Sequence, residues 1–100
     1  MSTRVGSTLL LAAALLLGAC GDIHSRSDFN TMVMNKSEDE VKATAGKPAE
    51  IDNSNPDRVI WTYKLETFDV DNGNKRDDRT MLIFEKGAGG KLRVTNIQYG

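Results

Sequence analysis

Hydrophobic and polar positions divide the chain into a short apolar start and a longer mixed part. The run Leu9–Ala19 holds only apolar and small residues, and the chain becomes polar directly after Cys20. With 11 residues, the run is well short of the ~20 that a helix needs to cross a bilayer. Arg4 supplies a basic start. A basic start, a short apolar middle and small residues at the end form a secretory signal, so residues 1–19 are predicted to be cleaved.

Residues 35–48 carry the start signals of a short helix. Ser37 is a good N-cap, and Glu40 three residues later completes an S-x-x-E capping box. The acidic cluster Glu38–Glu40 places negative charge at the positive end of the helix dipole. The helix is therefore predicted to begin at Glu38.

The same segment also marks where this helix ends. Val41 and Ala45 lie one turn apart and can face a core. Gly46 can adopt the left-handed backbone that often ends a helix, and Pro48 prevents continuation. The helix is predicted to end at Ala45. Two turns are too short to persist alone in water, so this helix must pack against another element.

A weaker helical pattern precedes it. Asp28 can cap a helix that ends near Val33, and Phe29 and Met32 give that helix an apolar side. The polar residues before it, 20–27, are predicted to form a tether.

Three strand-like segments follow a polar loop at residues 49–56. The segment Val59–Leu65 alternates between apolar and polar positions, the pattern of a half-buried strand. Thr80–Phe84 is a nearly continuous apolar run, as expected of a central strand, and Leu92–Tyr99 is predicted to be the last strand. The apolar positions of the first strand are Val59, Trp61, Tyr63 and Leu65.

Two turn signals separate these strands. Asn72–Gly73 is a strong turn pair, widened by the charged stretch Lys75–Arg79, and a glycine-rich turn follows at Gly87–Gly90. Segregated helices and hairpin-linked strands predict an α+β fold, in which two short N-terminal helices pack on a three-stranded antiparallel sheet. The second helix, through Val41 and Ala45, would cover the sheet face that carries the aromatic residues of the first strand.

Composition limits what such a chain can do. Cleavage before Cys20 leaves 81 of 100 residues, which is one small domain. The chain has 13 basic and 14 acidic residues, and losing Arg4 leaves 12 against 14. No concentrated basic face suggests nucleic-acid binding. The single histidine, His24, lies in the predicted tether, so a catalytic site, a metal site and a cofactor are not expected.

The one cysteine has a specific context. Leu17-Gly18-Ala19-Cys20 resembles the bacterial lipobox, in which small residues leave the thiol accessible for attachment of a diacylglyceryl group. Cleavage would then make Cys20 a lipidated N-terminus, and two or more acyl chains give stable membrane attachment. The predicted organisation is a signal peptide at 1–19, a lipidated tether at 20–27 and a folded domain at 28–100.

A charged loop is the candidate for contact with a partner. Its spacing Asp69-x-Asp71 is similar to a calcium loop, but Gly73 falls at position 5 rather than 6 and no Glu follows at position 12. The loop is therefore interpreted as a turn whose side chains can contact another protein, with a solvated loop as the alternative. The candidate partner-binding residues are Asp69, Asp71, Lys75, Arg76 and Arg79.

The order of motifs resembles the SmpA/OmlA (BamE-like) family of outer-membrane lipoproteins. The family has V-G-M-T-x-x-x-V-x-x-x-x-G-x-P, then W-x-Y, then a closing hairpin. The segment Met34–Pro48 matches the first motif, Trp61–Tyr63 the second and Thr80–Ile97 the hairpin. Asn35 and Lys36 stand in place of the family's Gly-Met, and Asn tolerates a left-handed backbone.

This resemblance implies a non-enzymatic lipoprotein of the bacterial envelope. Members of the SmpA/OmlA family are anchored in the outer membrane, face the periplasm and act as scaffolds with envelope proteins, including the outer-membrane barrel assembly machinery. Gly21 after Cys20 does not look like an inner-membrane retention signal. The alternative is a ligand-binding or inhibitor-type module on the same fold, which would leave a concave, aromatic-lined sheet face open.

Overall fold

The structure is a computed structural model, and it describes residues 23–100. The α+β class predicted from the sequence is confirmed. In chain order the elements are β1 (His24–Ser25), α1 (Arg26–Val33), α2 (Glu38–Ala45), β2 (Glu50–Asp52), β3 (Arg58–Lys64), β4 (Thr67–Asp69), a 3₁₀ turn (Val70–Asn72), β5 (Lys75–Arg76), β6 (Arg79–Lys86), a second 3₁₀ turn (Ala88–Gly90) and β7 (Leu92–Tyr99).

The main sheet has four antiparallel strands in the order β2-β3-β6-β7. The prediction of a single three-stranded sheet is therefore wrong. The extra strand is β2, which lies within the predicted loop at 49–56 and pairs Ile51 with Trp61. All three of its residues are exposed, so it has no buried positions from which an alternating pattern could have been recognised.

A second, small sheet has the order β1-β4-β5. Strand β1 runs parallel to β4, with His24 opposite Thr67, and β5 runs antiparallel to β4, with Lys75 opposite Asp69. Two predictions are corrected by this sheet. Residues 24–27, predicted as tether, form β1 and the start of α1, and the predicted loop 75–79 contains β5 and the first residue of β6.

Helix α2 forms as predicted, from Glu38 to Ala45. Both bonds of the capping box are present: Glu40 N donates to Ser37 Oγ (3.3 Å) and Ser37 N donates to Glu40 Oε1 (2.9 Å). The residue after the helix, Gly46, has φ 84° and ψ −174°. This region of the backbone map is open essentially to glycine alone.

Helix α1 begins two residues before the predicted cap. Asp28 N donates to Ser25 Oγ (3.1 Å), so Ser25 is the N-cap and Asp28 lies inside the first turn. The helix buries Phe29 and Val33 and ends at Val33.

The turn between the helices lies against the edge of strand β7. Asn35 N donates to Val94 O (3.0 Å), and Val94 N donates to Lys36 O (3.0 Å). Asn35 has φ 70°, which confirms that this position needs a residue that tolerates the left-handed conformation.

A single core lies between the helices and one face of the main sheet. Tyr63 contacts Phe29 edge to face (5.7 Å between ring centroids), and its hydroxyl donates to Gly46 O (2.7 Å). Trp61 packs against Phe84 at 4.8 Å. The buried members of the core are Phe29, Val33, Val41, Val59, Trp61, Tyr63, Leu82, Phe84 and Val94.

Two outcomes follow for the predicted packing. Val41 belongs to the same core cluster as Trp61 and Tyr63, and Ala45 packs against that cluster, as expected. Leu65, predicted as the last inward position of the first strand, lies outside β3 and is 49% exposed. Its φ of 55° turns the chain away from the sheet, which ends the alternation.

Candidate functional site

The candidate partner-binding residues lie around the small sheet. Asp69 ends β4, Asp71 lies in the first 3₁₀ turn, Lys75 and Arg76 form β5, and Arg79 begins β6. Asp69 is half-buried and the other four are exposed. The candidate lipidation residue, Cys20, lies outside the described residues.

Arg26 is the centre of the polar contacts beside these residues. Its guanidinium donates to both carboxylate oxygens of Asp77, at 3.0 Å from Nε and 2.5 Å from Nη2. A second ion pair joins Nη1 to Asp69 at 3.3 Å. The two-point contact with Asp77 suits the planar geometry of both groups and is the stronger kind of charged hydrogen bond.

Asp77 is 5% exposed and continues the network inward. The Thr67 hydroxyl donates to Asp77 Oδ2 (2.7 Å), and the hydroxyls of Thr67 and Thr80 lie 2.6 Å apart. Both threonines are fully buried. The backbone N–H of Asp77 donates to Thr67 O (2.9 Å), so the residue joins β4 to the start of β6.

These contacts shift the ionisation of the pair in opposite directions. The hydrogen bonds from Arg26 hold the pKa of Asp77 below its usual value, and Thr67 contributes to the same effect. The hydrogen bond with Asp77 in turn raises the pKa of Arg26. Both groups are therefore charged at neutral pH. A buried carboxylate is tolerated when it is paired with an opposite charge and hydrogen-bonded, as Asp77 is here.

Tyr99 makes two further contacts with Arg26, one through its ring and one through its hydroxyl. The guanidinium carbon of Arg26 lies 5.0 Å from the centre of the Tyr99 ring. The Tyr99 hydroxyl donates to the Arg26 backbone carbonyl at 3.1 Å. Burial raises the pKa of Tyr99 above its ordinary value. The start of α1 is thus tied to the last strand as well as to the small sheet.

The candidate loop contains short elements of the small sheet, and four of its five candidate residues are exposed to solvent. Asp69 is occupied by Arg26, and its side chain also accepts a hydrogen bond from Asp71 N (3.1 Å). The guanidinium of Arg76 donates to the backbone carbonyl of Leu65. Of the five candidates, Asp71, Lys75 and Arg79 have exposed side chains for which the described residues show no hydrogen bond or ion pair.

The depression that most of these charged residues share is small. A depression of about 120 Å³ is lined mainly by the charged residues Arg26, Asp69, Lys75, Arg76 and Asp77. That volume is well below the 300–1,000 Å³ typical of small-molecule pockets. Within residues 23–100, no group of three or more His, Cys, Asp or Glu side chains is placed to hold a metal ion.

Sequence reasoning missed the two central residues, Arg26 and Asp77. Arg26 was included in the tether, although Ser25 with Asp28 three residues later is itself a capping-type spacing that marks a helix start. Asp77 stands in a charged stretch that gives no sign of burial. Its partner lies 51 positions earlier in the chain, and no local pattern connects residues so far apart.

The strand register defines two ends of the domain, which are called proximal (the end that carries Ile23) and distal (the opposite end). At the proximal end, Ile23 leads into β1, Lys64 pairs with Arg79, and Thr80 pairs with Tyr99. At the distal end, Arg58 pairs with Glu85 and Lys86 pairs with Leu92. The distal end carries the turn at residues 53–57 and the hairpin at residues 87–91, and an ion pair of 3.0 Å between Asp57 and Lys86 joins them.

The described helices include none that is long and apolar enough to cross a membrane. Comparison with protein-family models finds no model that matches the chain. Comparisons with curated proteins and with solved structures find no match either.

Proposed function

We propose that the protein is a non-enzymatic lipoprotein of the bacterial envelope, attached to the membrane through acyl chains on Cys20. Its work is to bind other envelope proteins as a scaffold or accessory, in outer-membrane protein assembly or in envelope integrity. The observation that carries the proposal is the sequence Leu17-Gly18-Ala19-Cys20 at the end of a secretory signal. A folded domain that begins at His24 follows it closely.

The resemblance to SmpA/OmlA lipoproteins supports placement at the periplasmic face of the outer membrane. The residues that carry this resemblance have structural roles in the chain. Ser37 caps α2, Gly46 ends it, and Trp61 and Tyr63 lie in the core against Val41. The shared motif is therefore a signature of how the helix packs on the sheet, and it supports a common fold more directly than a common partner.

The alternative function is a ligand-binding or inhibitor-type module. It required an open sheet face lined with aromatic residues. Three aromatic side chains of the main sheet instead lie in the core shared with the helices, with Trp61 and Tyr63 each 2% exposed and Phe84 fully buried, whereas Tyr99 is half-buried at the end of β7. No observation in the described part of the chain favours that module over a scaffold.

The anchor is tested by metabolic labelling of growing bacteria with a fatty acid. Wild-type protein is expected to incorporate the label and to fractionate with membranes, whereas Cys20→Ser is expected to take up none and to lose membrane attachment. Labelling of Cys20→Ser equal to the wild type would overturn the proposal.

The partner class is tested by crosslinking in cells followed by mass spectrometry. Recovery of outer-membrane barrel assembly components with the wild type, and their loss with Cys20→Ser, would support the scaffold function. Recovery of a glycan fragment or of one unrelated envelope enzyme would point to the binding module instead.

A further inference from the structure

We propose that the proximal end of the domain lies against the membrane and that Ile23 and Leu65 enter the interfacial layer of the bilayer. The distal end then points into the periplasm. This inference rests on the proposed lipid anchor and adds an orientation to it. The occupant of the proximal surface is the lipid bilayer that holds the acyl chains.

The first argument is the length of chain between anchor and fold. Ile23 is three positions after Cys20, and an extended chain covers at most about 3.3–3.6 Å per residue, so their Cα atoms lie within about 11 Å. His24 is already part of the fold, because it pairs with Thr67 and its N–H donates to Glu66 O at 3.0 Å. The surface around Ile23 therefore cannot lie far from the bilayer.

The second argument is the exposure of apolar side chains at this surface. Ile23 is 42% exposed and Leu65 is 49% exposed. Ile23 precedes His24 in the chain, and Leu65 precedes Glu66. The hydrogen bond from His24 N to Glu66 O therefore brings the segments that contain Ile23 and Leu65 together. Amphipathic contacts of this kind gain free energy by burying apolar side chains at the boundary between headgroups and acyl chains.

The third argument is the backbone of Leu65. Its φ of 55° lies in the left-handed region, which is unfavourable for a bulky residue and open to glycine and asparagine. An exposed leucine in this conformation lowers the stability of the free domain. Positions that break a local rule are expected at functional or strained sites, and burial of the Leu65 side chain in the interface would offset the cost of its backbone.

The charged residues around Leu65 are compatible with contact to the lipid headgroups. The exposed guanidinium of Arg76 is held beside Leu65 by its hydrogen bond to the Leu65 carbonyl, and Lys64 precedes Leu65 in the chain. The acidic residue Glu66 follows Leu65 in the chain, and Asp78 is close in space because Leu65 N donates to Asp78 O at 3.3 Å. Charges of both signs suit shallow contact at the headgroups rather than deep insertion.

The orientation places the distal end where soluble partners can reach it. Strand β6 has eight residues and rises about 3.3 Å per residue, so the hairpin at residues 87–91 stands roughly 25 Å beyond the proximal end. Arg79, at the proximal end of that strand, would lie near the headgroups.

The test places a fluorescent label on an introduced cysteine, in the variants Lys64→Cys (proximal) and Ala88→Cys (distal). The labelled, full-length lipoproteins are purified from bacterial membranes and placed in vesicles of phosphatidylethanolamine and phosphatidylglycerol, with a spin label on a fraction of the headgroups. Because acylation blocks the Cys20 thiol, each protein takes one label. A second label per chain reports that Cys20 is free, which overturns the proposed anchor and this orientation together.

The expected result is at least severalfold stronger quenching at position 64 than at position 88. In the double variant Ile23→Ser with Leu65→Asn, this difference is expected to shrink, since asparagine keeps the left-handed backbone but removes the apolar side chain. The matched control is Ile51→Ser. Ile51 is 52% exposed but lies on the lateral edge strand, so the difference is expected to stay unchanged.

Equal quenching at the two positions, with one label per chain, would overturn the orientation while leaving the anchor in place. Stronger quenching at position 88 would do the same. Loss of the difference in Ile51→Ser as well as in the double variant would show that the two proximal side chains have no special role.

Discussion

At the scale of single residues, the contact between Arg26 and Asp77 decides how the start of the domain is held. The carboxylate is buried, accepts two hydrogen bonds from one guanidinium, and receives a third from Thr67. A buried carboxylate left without these donors would be strongly unfavourable. The pair therefore makes the small sheet depend on a residue at the first turn of α1.

Replacing Asp77 with asparagine tests this dependence. Asp77→Asn keeps the size of the side chain but removes the charge and one acceptor of the two-point contact with Arg26. We expect the free energy of unfolding to fall by about 1–3 kcal/mol, the usual cost of leaving buried polar groups imperfectly paired. Urea denaturation followed by the fluorescence of Trp61, the only tryptophan, measures it.

The neighbouring residue supplies the control for that substitution. Asp78 is exposed, so Asp78→Asn removes the same charge without disturbing a buried bond. Its effect is expected to stay within about 0.5 kcal/mol. Equal losses in the two variants would mean that net charge, rather than the contact with Arg26, causes the effect.

The same pair predicts how stability depends on pH. Because the pKa of Asp77 is lowered in the folded state, the unfolded chain binds its proton first as the pH falls below about 4. The contribution of Asp77 is thus fully present at neutral pH and is lost as the pH falls through its folded pKa. Urea midpoints measured between pH 7 and pH 2 should fall less steeply in Asp77→Asn than in the wild type. Parallel curves would contradict the prediction.

At the scale of elements, helix α2 shows how completely local chemistry can define a short segment. Ser37 and Glu40 satisfy each other's backbone groups, and Gly46 ends the helix in a conformation reserved for glycine. All of these contacts join residues within about one turn. This is the reason that the bounds Glu38 and Ala45 were predicted correctly.

Gly46 and Gly87 form a matched pair for testing the helix end. A Cβ atom at either position would meet no heavy atom within 4 Å, but Gly46 has φ 84° and Gly87 has φ −108°. Gly46→Ala is expected to lower the free energy of unfolding by about 1–3 kcal/mol because of backbone strain. Gly87→Ala is expected to change it by less than about 1 kcal/mol, with either sign. Thermal unfolding of both variants separates strain from crowding.

The very short strands are the elements that the sequence did not reveal. Strands β1 and β5 have two residues each, and β2 and β4 have three. Such lengths are too short to show an alternating pattern. Whether these segments form strands depends on neighbouring strands that offer free backbone groups, and this is a property of the assembled fold. Residues 24–25 of the predicted tether and residues 75–76 of the predicted loop were assigned wrongly for this reason.

At the scale of the whole molecule, both helices and the main sheet share one core. Phe84 is fully buried, packs against Trp61, and lies on a central strand of the sheet. The folded part described here, 78 residues, is small enough that its total stability should be about 4–12 kcal/mol. One large deletion in the core can therefore use up much of that stability.

Phe84→Ala is expected to lower the free energy of unfolding by about 3–5 kcal/mol, which brings the domain close to unfolding at 37 °C. Circular dichroism and Trp61 fluorescence should report one shared transition at a lower temperature, because there is a single core. The control is Ile51→Ala on the exposed edge strand, with an expected loss below about 0.5 kcal/mol. Two separate transitions in Phe84→Ala would show that the small sheet unfolds independently.

Local sequence patterns were sufficient to predict the α+β class, helix α2, the three long strands, and the placement of Val41 and Ala45 at the sheet face that carries Trp61 and Tyr63. These features depend on capping, on turn glycines and on repeated apolar positions, which act between residues close in the chain. The lipidation motif at Cys20 is equally local, and it stays a prediction.

Four features became apparent only in the folded structure: the small sheet, the edge strand β2, the buried pair of Arg26 and Asp77, and the exposure of Leu65. Each depends on groups brought together from distant parts of the chain. The hydrogen bonds and the burial of such groups depend on each other and arise only when the chain is folded. Long-range pairing of this kind also brings the last residues of the predicted tether, 24–27, into the fold. It leaves only residues 21–23 between the predicted anchor and the domain, and this short distance sets the orientation that we propose at the membrane.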